Sequence, residues 1–513
     1  MPGKDATESR FRPCRGRSRG KRLGPSSVAA DFGAGSQVAQ ESVAAFLEKL
    51  ADADSPEIAA ARDRWMSFLR ATFGADDRRL VPGLEALVAA YPSARGHRDP
   101  LGLLFAVQTY YGLVVKLLVG QVVASVRRRE MPAEAVGSAV DRNEFQKQMQ
   151  RLESDENVRL GGGCPGAGNG DPFAWYVSAG SEAIDRAIRR IAAALQPYDF
   201  GPGTEEPLPP GDLFKTLYQE VFPKRLRHRL GEYYTPDWLV EQMLDAVGYP
   251  GECGGRLLDP ACGSGAFLVA AIRRLRAAWT DRHGNDEAQR GALREAILSG
   301  VAGIDLHPLA AITARASYLM AIADLLPATG HVSVPVYEGD SILGRHEGLG
   351  ALEGQVDFVV GNPPWIAWDD LPAEDREATK PLWHRYGLFT LSGREARHGG
   401  GKKDLSMLMI YAAADRYLKP SGRLAMVVTQ TVFQTRGAGD GFRRFRLGDA
   451  GPWLKVLGVN DLVEARPFPG TANWTATLVL EKGPPTVYPV RYVQYSSDRS
   501  QRELEAAPID PDR

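Results

Sequence analysis

From about residue 212 onward, short β-rich runs alternate with helical stretches, and nothing else constrains the fold of this chain as strongly. Arg256 to Asp259, Val301 to Asp305, Val334 to Glu338, Val356 to Gly361 and Arg423 to Val428 are five such runs. Helical spacing fills intervals such as Ala266 to Trp279 and Leu309 to Leu325. Strands separated by helices pair in parallel and carry helices on their faces. The predicted class is therefore α/β, with a doubly wound sheet. Pro335 places the third run at a sheet edge or strand start, because proline donates no ladder hydrogen bond. In such sheets ligands bind beyond the carboxyl ends of the strands.

The residues before this region have a different texture. Residues 37–205 read as a mainly helical domain, with three-to-four apolar spacing over Ser42 to Leu50, Pro56 to Phe73, Leu101 to Arg129 and Ser181 to Leu195. The most apolar stretch, Leu101 to Val126, is broken by Gln108, Lys116 and Gln121. It is expected to be a buried helix and not a membrane span. Gly161 to Gly166 lacks the preceding strand and following helix that a phosphate-cradling loop needs, so it reads as a surface loop. Gly201 to Gly211 reads as a linker. The α/β region is placed at 206–485, followed by a polar tail, or the start of a further region, at 486–513.

Residues 1–36 are rich in Gly, Ser and Arg, without periodic apolar positions, and are expected to be a disordered basic tail. Lys4, Arg10, Arg12, Arg15, Arg17, Arg19, Lys21 and Arg22 stand there against Asp5 and Glu8. They make either a solvated tail or an arm for phosphates. No apolar core of a signal peptide follows them. A net charge of −1 argues neither for nor against nucleic acid, so any DNA surface must come from local clustering. Cys14, Cys164, Cys253 and Cys262 show no CxxC spacing. No metal site or disulfide framework is expected, and scattered thiols suit a reducing cytoplasm.

Asp259-Pro260-Ala261-Cys262-Gly263-Ser264-Gly265 follows the first run and opens a helix. Its glycines let the backbone turn sharply and approach a ligand, and the helix start offers free N–H groups. A dinucleotide fingerprint would need a third glycine where Phe267 and Leu268 stand. Asp305 ends the next run, where a carboxylate can accept from ribose hydroxyls. Asp340 follows the third and can accept from an adenine amino group. Each acid alone could instead cap a helix. Together at successive strand ends, they point to a nucleoside-containing cofactor.

These motifs, with Asn362-Pro363-Pro364-Trp365 after the fourth run and Gly231-Glu232-Tyr233-Tyr234-Thr235-Pro236 upstream, resemble the class I adenine-N6 DNA methyltransferases of gamma motif order. The helical region is similar to that of large type II restriction–modification and phage-defence (BREX- or DISARM-like) methyltransferases. The resemblance spans roughly residues 212–485 and implies a Rossmann-like methyltransferase sheet that binds S-adenosyl-L-methionine. It implies that Tyr234, Thr235 and Pro236 line the methionine end, that Asp259, Ala261, Gly263 and Gly265 form the loop beneath it, and that Asp305 and Asp340 hold ribose and adenine. Gly401 to Leu405 is similar to a later pocket-lining motif, and Phe468, Asn473 and Trp474 fall near the flipped base. Double-stranded DNA is the implied partner, with a separate specificity or defence-complex subunit as a further one.

Asn-Pro-Pro-Trp suits that reaction. The adenine amino nitrogen is a poor nucleophile because its lone pair is delocalised into the ring. The Asn362 side-chain oxygen and the Pro363 carbonyl can accept from both N–H groups and favour a pyramidal nitrogen. Pro364 continues the fixed backbone, and Trp365 offers a face for an extruded base. Two other readings stay open. One is a protein glutamine-amide methyltransferase, in which Tyr usually follows Asn-Pro-Pro. The other is a non-catalytic DNA-binding subunit of a defence complex. A fused nuclease of the Asp/Glu-x-Lys type is not expected, since no lysine has an acid two residues before it. Gamma-order enzymes place a target-recognition domain after the catalytic one, where only about 30 residues follow Lys482, so recognition is expected from a partner or from residues beyond a truncated end. Arg436, Arg443, Arg444 and Arg446 could hold phosphates or form an exposed helix face.

Overall fold

In the computed structural model, the described residues are 20–504 except 53–54, 74–79, 98, 155–170, 201–209, 230–233, 252–253, 285, 345–346, 390–402, 436–437, 469, 472, 497 and 499–500. Nine strands form the main sheet: β1 (Leu257–Asp259), β2 (Val301–Asp305), β3 (Val336–Glu338), β4 (Val356–Gly361), β5 (Leu418–Thr429), β6 (Trp453–Asp461), β7 (Thr475–Gly483), β8 (Arg491–Tyr495) and β9 (Gln501–Leu504). Across the sheet the order is β3-β2-β1-β4-β5-β7-β6-β8-β9. Strands β1 to β5 are mutually parallel, and β7 runs antiparallel between β5 and β6. The chain steps from β1 outward to β3 and then returns to the other side of β1, so the topological switch lies between β1 and β4. That crevice is where a doubly wound sheet binds ligands. All five expected strands are present, and β3 lies at the edge, as Pro335 requires.

Residues on alternate sides of the strands feed two cores. Leu257, Val360, Ala425 and Val427 face one, while Leu258, Val359, Leu424, Met426 and Val428 face the other. Such two-sided burial explains why these strands read as continuous apolar runs. The first core is shared with the N-terminal helices.

Those helices are α1 (Pro25–Phe32), α2 (Gln37–Leu50), α3 (Pro56–Phe73), α4 (Val81–Ala90), α5 (Pro100–Val126), α6 (Pro132–Ser138), α7 (Arg142–Ser154) and α8 (Glu182–Leu195). Next come α9 (Pro210–Val221), α10 (Lys224–Arg229) and α11 (Asp237–Ala246), then the sheet-covering α12 (Ala266–His283), α13 (Arg290–Gly300) and α14 (Pro308–Ala321). Helix α5 is long and apolar enough to cross a membrane, yet its apolar window is wholly buried inside the protein. The polar residues that break it each find a partner, although the Gln108 amide nitrogen is buried without one. Gln108 Oε1 accepts from Trp65 Nε1 at 2.6 Å, and Gln121 Oε1 accepts from the Ala133 amide at 2.9 Å. Lys116 Nζ pairs with Glu153 at 2.6 Å and Asp171 at 2.5 Å. Burial pulls the Lys116 ammonium down, but the two carboxylates outweigh it and leave its pKa raised.

Helix α5 packs on α14, where the Tyr111 hydroxyl lies 3.3 Å from Thr313 Oγ1. The helical region is therefore packed onto the α/β core and is not a detached module.

Two boundaries differ from expectation. The disordered tail set at 1–36 does not extend over 20–36, because α1 buries Val28 and Phe32 against α9 and Lys21–Arg22 pairs with Tyr198–Asp199. Residues 1–19, the Gly161 loop and most of the 201–211 linker lie outside the described residues. The segment 486–513 is also not merely a tail, since β8 and β9 extend the sheet beyond β6. Their alternation is short and their polar residues many, so no strand signal shows in sequence.

Candidate active site

The loop after β1 is shaped by its neighbours on β2. Gly265 caps α12 with φ 88°, and a Cβ there would lie 3.3 Å from Ala314 Cα. Glycine therefore serves both the left-handed turn and the close helix contact. The Asp305 carboxylate accepts from the Gly263 amide and the His307 amide, each at 2.8 Å. Asp259 Oδ1 accepts from the Ala261 amide at 3.1 Å. Across the switch point, a Cβ on Gly361 would come within 2.7 Å of Asp259 Oδ1, so the residue before Asn362 must be small.

Asn362, Pro363, Pro364 and Trp365 line the same cavity as Asp259, Ala261, Gly263, Asp305 and Asp340, with Tyr234 and Thr235 on its wall. Its volume, about 580 Å³, lies in the range of small-molecule sites, about 300–1,000 Å³. Two expected residues are not on the wall. Pro236 opens α11, where its carbonyl takes the Val240 amide, and Gly265 is turned into the α12–α14 contact. Both position wall residues without lining the cavity. Asp340 Oδ1 accepts from the Ile342 and Leu343 amides at 2.8 and 3.0 Å, so it also holds the turn after β3.

The cavity is rich in acids. Burial pushes the Asp259 carboxyl well above the usual range, and Asp305 beside it adds to the shift. Burial raises Asp305 to about 6, against the two amides that lower it. Glu338 is raised to about 7 by burial, with Arg315 opposing and Asp171 and Asp305 reinforcing. Among the described residues, none of Asp259, Asp305 and Asp340 forms an ion pair. A ligand carrying positive charge and hydroxyl donors fits this donor set, and a pyrophosphate does not.

Sequence reasoning missed several wall residues. Phe68 from α3 and Tyr218 from α9 come from the helical region, and Glu338 and His307 flank the expected acids. His307 Nδ1 accepts from the Leu309 amide at 3.2 Å, which leaves Nε2 as the N–H; burial lowers its pKa to about 4. No motif marks Phe68, since only packing of α3 brings it to the cavity. Phe468 meets Trp365 edge to face, with ring centroids 5.1 Å apart. Trp474 is 62% exposed. Leu405 lines the cavity, Asp404 caps the helix after it, and Gly401 and Lys402 lie outside the described residues.

The arginines that could hold phosphates or form an exposed helix face are engaged within the protein. Arg443 donates to the Val432 and Thr435 carbonyls, Arg444 pairs with Asp449 at 2.8 Å, and Arg446 stacks on Trp453. Arg436 lies outside the described residues.

Comparison with known proteins agrees with this geometry. Residues 211–451 match the family described as N-6 DNA Methylase. The Type II methyltransferase M.PaeR7I of Pseudomonas aeruginosa is 30% identical over 200 residues, covering 37% of this chain and 32% of that protein. The adenine-specific methyltransferase PglX of Streptomyces coelicolor is 29% identical, over 37% of this chain and 20% of that protein. The chain thus spans about a third or less of these curated relatives. The fold is also that of a nuclease-deletion mutant of the Type ISP restriction-modification enzyme LlaGI, solved with a DNA substrate mimic. Its TM-score is 0.51 at 13% identity, over 95% of this chain and 38% of that one. Apart from Phe68, every residue lining the cavity lies within residues 211–451, the segment that matches the N-6 DNA methylase family.

Proposed function

We propose that this chain transfers the methyl group of S-adenosyl-L-methionine to the N6 amino group of an adenine swung out of DNA, within restriction–modification or phage defence in the cytoplasm. The observation that carries this reading is that Asn362-Pro363-Pro364-Trp365 opens into the same cavity as Asp259, Asp305 and Asp340. Asp305 would take the ribose hydroxyls and Asp340 the adenine of the cofactor. Tyr234 and Thr235 would flank its methionine end, and the loop from Asp259 through Gly263 would lie beneath it. Bound there, S-adenosylmethionine supplies an electrophilic methyl on a sulfonium, which is a good leaving group. Asn362 Oδ1 and the Pro363 carbonyl accept from the two N6 hydrogens and localise the nitrogen lone pair. Trp365, braced by Phe468, holds the ring by stacking. Alignment for in-line attack supplies most of the acceleration, and the proton leaves the methylated nitrogen to water or a carbonyl.

The test is transfer from tritiated-methyl S-adenosylmethionine by the purified chain, with mixed-sequence DNA or protein as acceptor, followed by methylation-aware sequencing of host DNA. Label in DNA as N6-methyladenine, lost in Asn362→Ala, is the expected result. Label in protein glutamine, or unchanged adenine methylation in Asn362→Ala, overturns it.

A further inference from the structure

Beside the mouth of the cavity lies a cationic surface that the reaction does not use. Helix α10 reads Lys-Arg-Leu-Arg-His-Arg; only Leu226 is buried, against α4. Lys224, Arg225 and Arg229 are exposed and make no ion pair among the described residues. Arg227 is turned inward, its Nε donating to the Phe222 carbonyl at 3.1 Å. Positive charge accumulates here: His228 is lowered from its ordinary pKa by burial and then by Lys224 and Arg227.

This helix touches the loop between β6 and β7. A side chain on Gly470 would meet His228 Cε1 at 2.8 Å and Lys224 Cε at 3.5 Å. The same loop carries Phe468, whose ring meets Trp365. It also carries Arg466, exposed with φ 42°, and ends at the exposed Trp474. The Trp474 carbonyl accepts from the Gln430 amide at 2.8 Å, at the end of β5, which pairs with β4 just before Asn362. Glu464 is the one acid in residues 462–474, and α10 has none. Unpaired cations and an exposed indole thus stand within one loop of the Asn-Pro-Pro-Trp mouth, while Arg443, Arg444 and Arg446 are engaged by Asp440, Asp449 and the Trp453 ring.

Extruding a base costs unstacking and unpairing energy, which contacts to the flanking phosphates and stacking on the neighbouring base can offset. We propose that α10 and the described residues of the 462–474 loop form the docking surface for the DNA strand that carries the target adenine. Lys224, Arg225 and Arg229 take the flanking phosphates, and Trp474 stacks on a base beside the extruded one. The inference rests on the proposed function and specifies which face of the protein the substrate strand crosses.

The experiment titrates the chain, residues 1–513, against a labelled mixed-sequence duplex between about 50 and 200 mM salt. Each phosphate contact contributes about 0.9 to the slope of log affinity against log salt. The variant Lys224→Gln/Arg225→Gln/Arg229→Gln is expected to lose about two to three from that slope while its affinity for S-adenosylmethionine, by calorimetry, stays unchanged. Lys224→Arg/Arg225→Lys is expected to keep it. Trp474→Ala is expected to keep the slope and weaken binding about tenfold. Should the triple variant fail to fold, Arg225→Gln alone is expected to lose about 0.9. An unchanged slope with cofactor binding intact, or a wild-type chain that does not bind the duplex, overturns the surface. Methyl transfer by a wild-type chain whose variants keep the slope overturns the surface and leaves the proposed function standing. Salt-dependent binding lost in the triple variant, without methyl transfer by the wild type, overturns the function and not the surface.

Discussion

At the scale of single residues, the cavity places carboxyls where burial keeps them from ionising freely. Asp305 and Glu338 are raised to about 6 and about 7. A carboxyl with a raised folded pKa binds its proton more tightly folded than unfolded. Its stabilising contribution is complete below the unfolded value, about 4, and is lost as pH rises through the folded value. The ligand-free chain is therefore expected to melt at a lower temperature at pH 8 than at pH 5, with Asp305→Asn flattening that slope in a melting series. A cationic cofactor favours the ionised carboxyls, so its binding at pH 6 is expected to release protons. Calorimetry in buffers of different ionisation heat reads this; proton uptake would contradict it. Asp259 and Asp305 were legible because each ends a strand run, and Asp340 and Asn362 because each follows one within a motif. Glu338 also ends a run but belongs to no motif, and Phe68 and Tyr218 lie on helices that carry no local signal of a wall.

At the scale of elements, turns and caps decide where the site residues point. Gly265→Ala forces a left-handed backbone onto a residue with a Cβ and presses it on Ala314. It is expected to cost about 1–2 kcal/mol and to weaken cofactor binding, measured by denaturant unfolding and calorimetry. Ser36 caps α2 by accepting from the Ala39 amide at 3.1 Å. Ser36→Ala is expected to cost about 1 kcal/mol without altering cofactor affinity. The five buried strands were legible from apolar runs bounded by Gly and acids. Strand β8 and the edge strand β9 were not, because Arg491, Gln494 and Arg502 break the pattern that a buried strand shows.

At the scale of the whole molecule, one core joins the helical region to the sheet. The chain is expected to unfold in a single transition detected alike by circular dichroism and tryptophan fluorescence; two separated transitions would refute a shared core. Lys116 is the point on which the helical region is most exposed to substitution. Lys116→Met leaves Glu153 and Asp171 buried without a cation and is expected to cost about 3–5 kcal/mol in chemical denaturation. By itself the sequence determined the five strands of a doubly wound sheet, the residues at their carboxyl ends and the buried character of α5, because each follows from local periodicity and from residues at strand ends. The tertiary structure alone decided that α3 and α9 bring Phe68 and Tyr218 to the cavity wall. It also decided that Arg443, Arg444 and Arg446 are engaged within the protein while Lys224, Arg225 and Arg229 of α10 are exposed. Those outcomes depend on which surfaces meet, and a charge or an aromatic ring reads the same in sequence whether its partner is solvent, a carbonyl or a ligand.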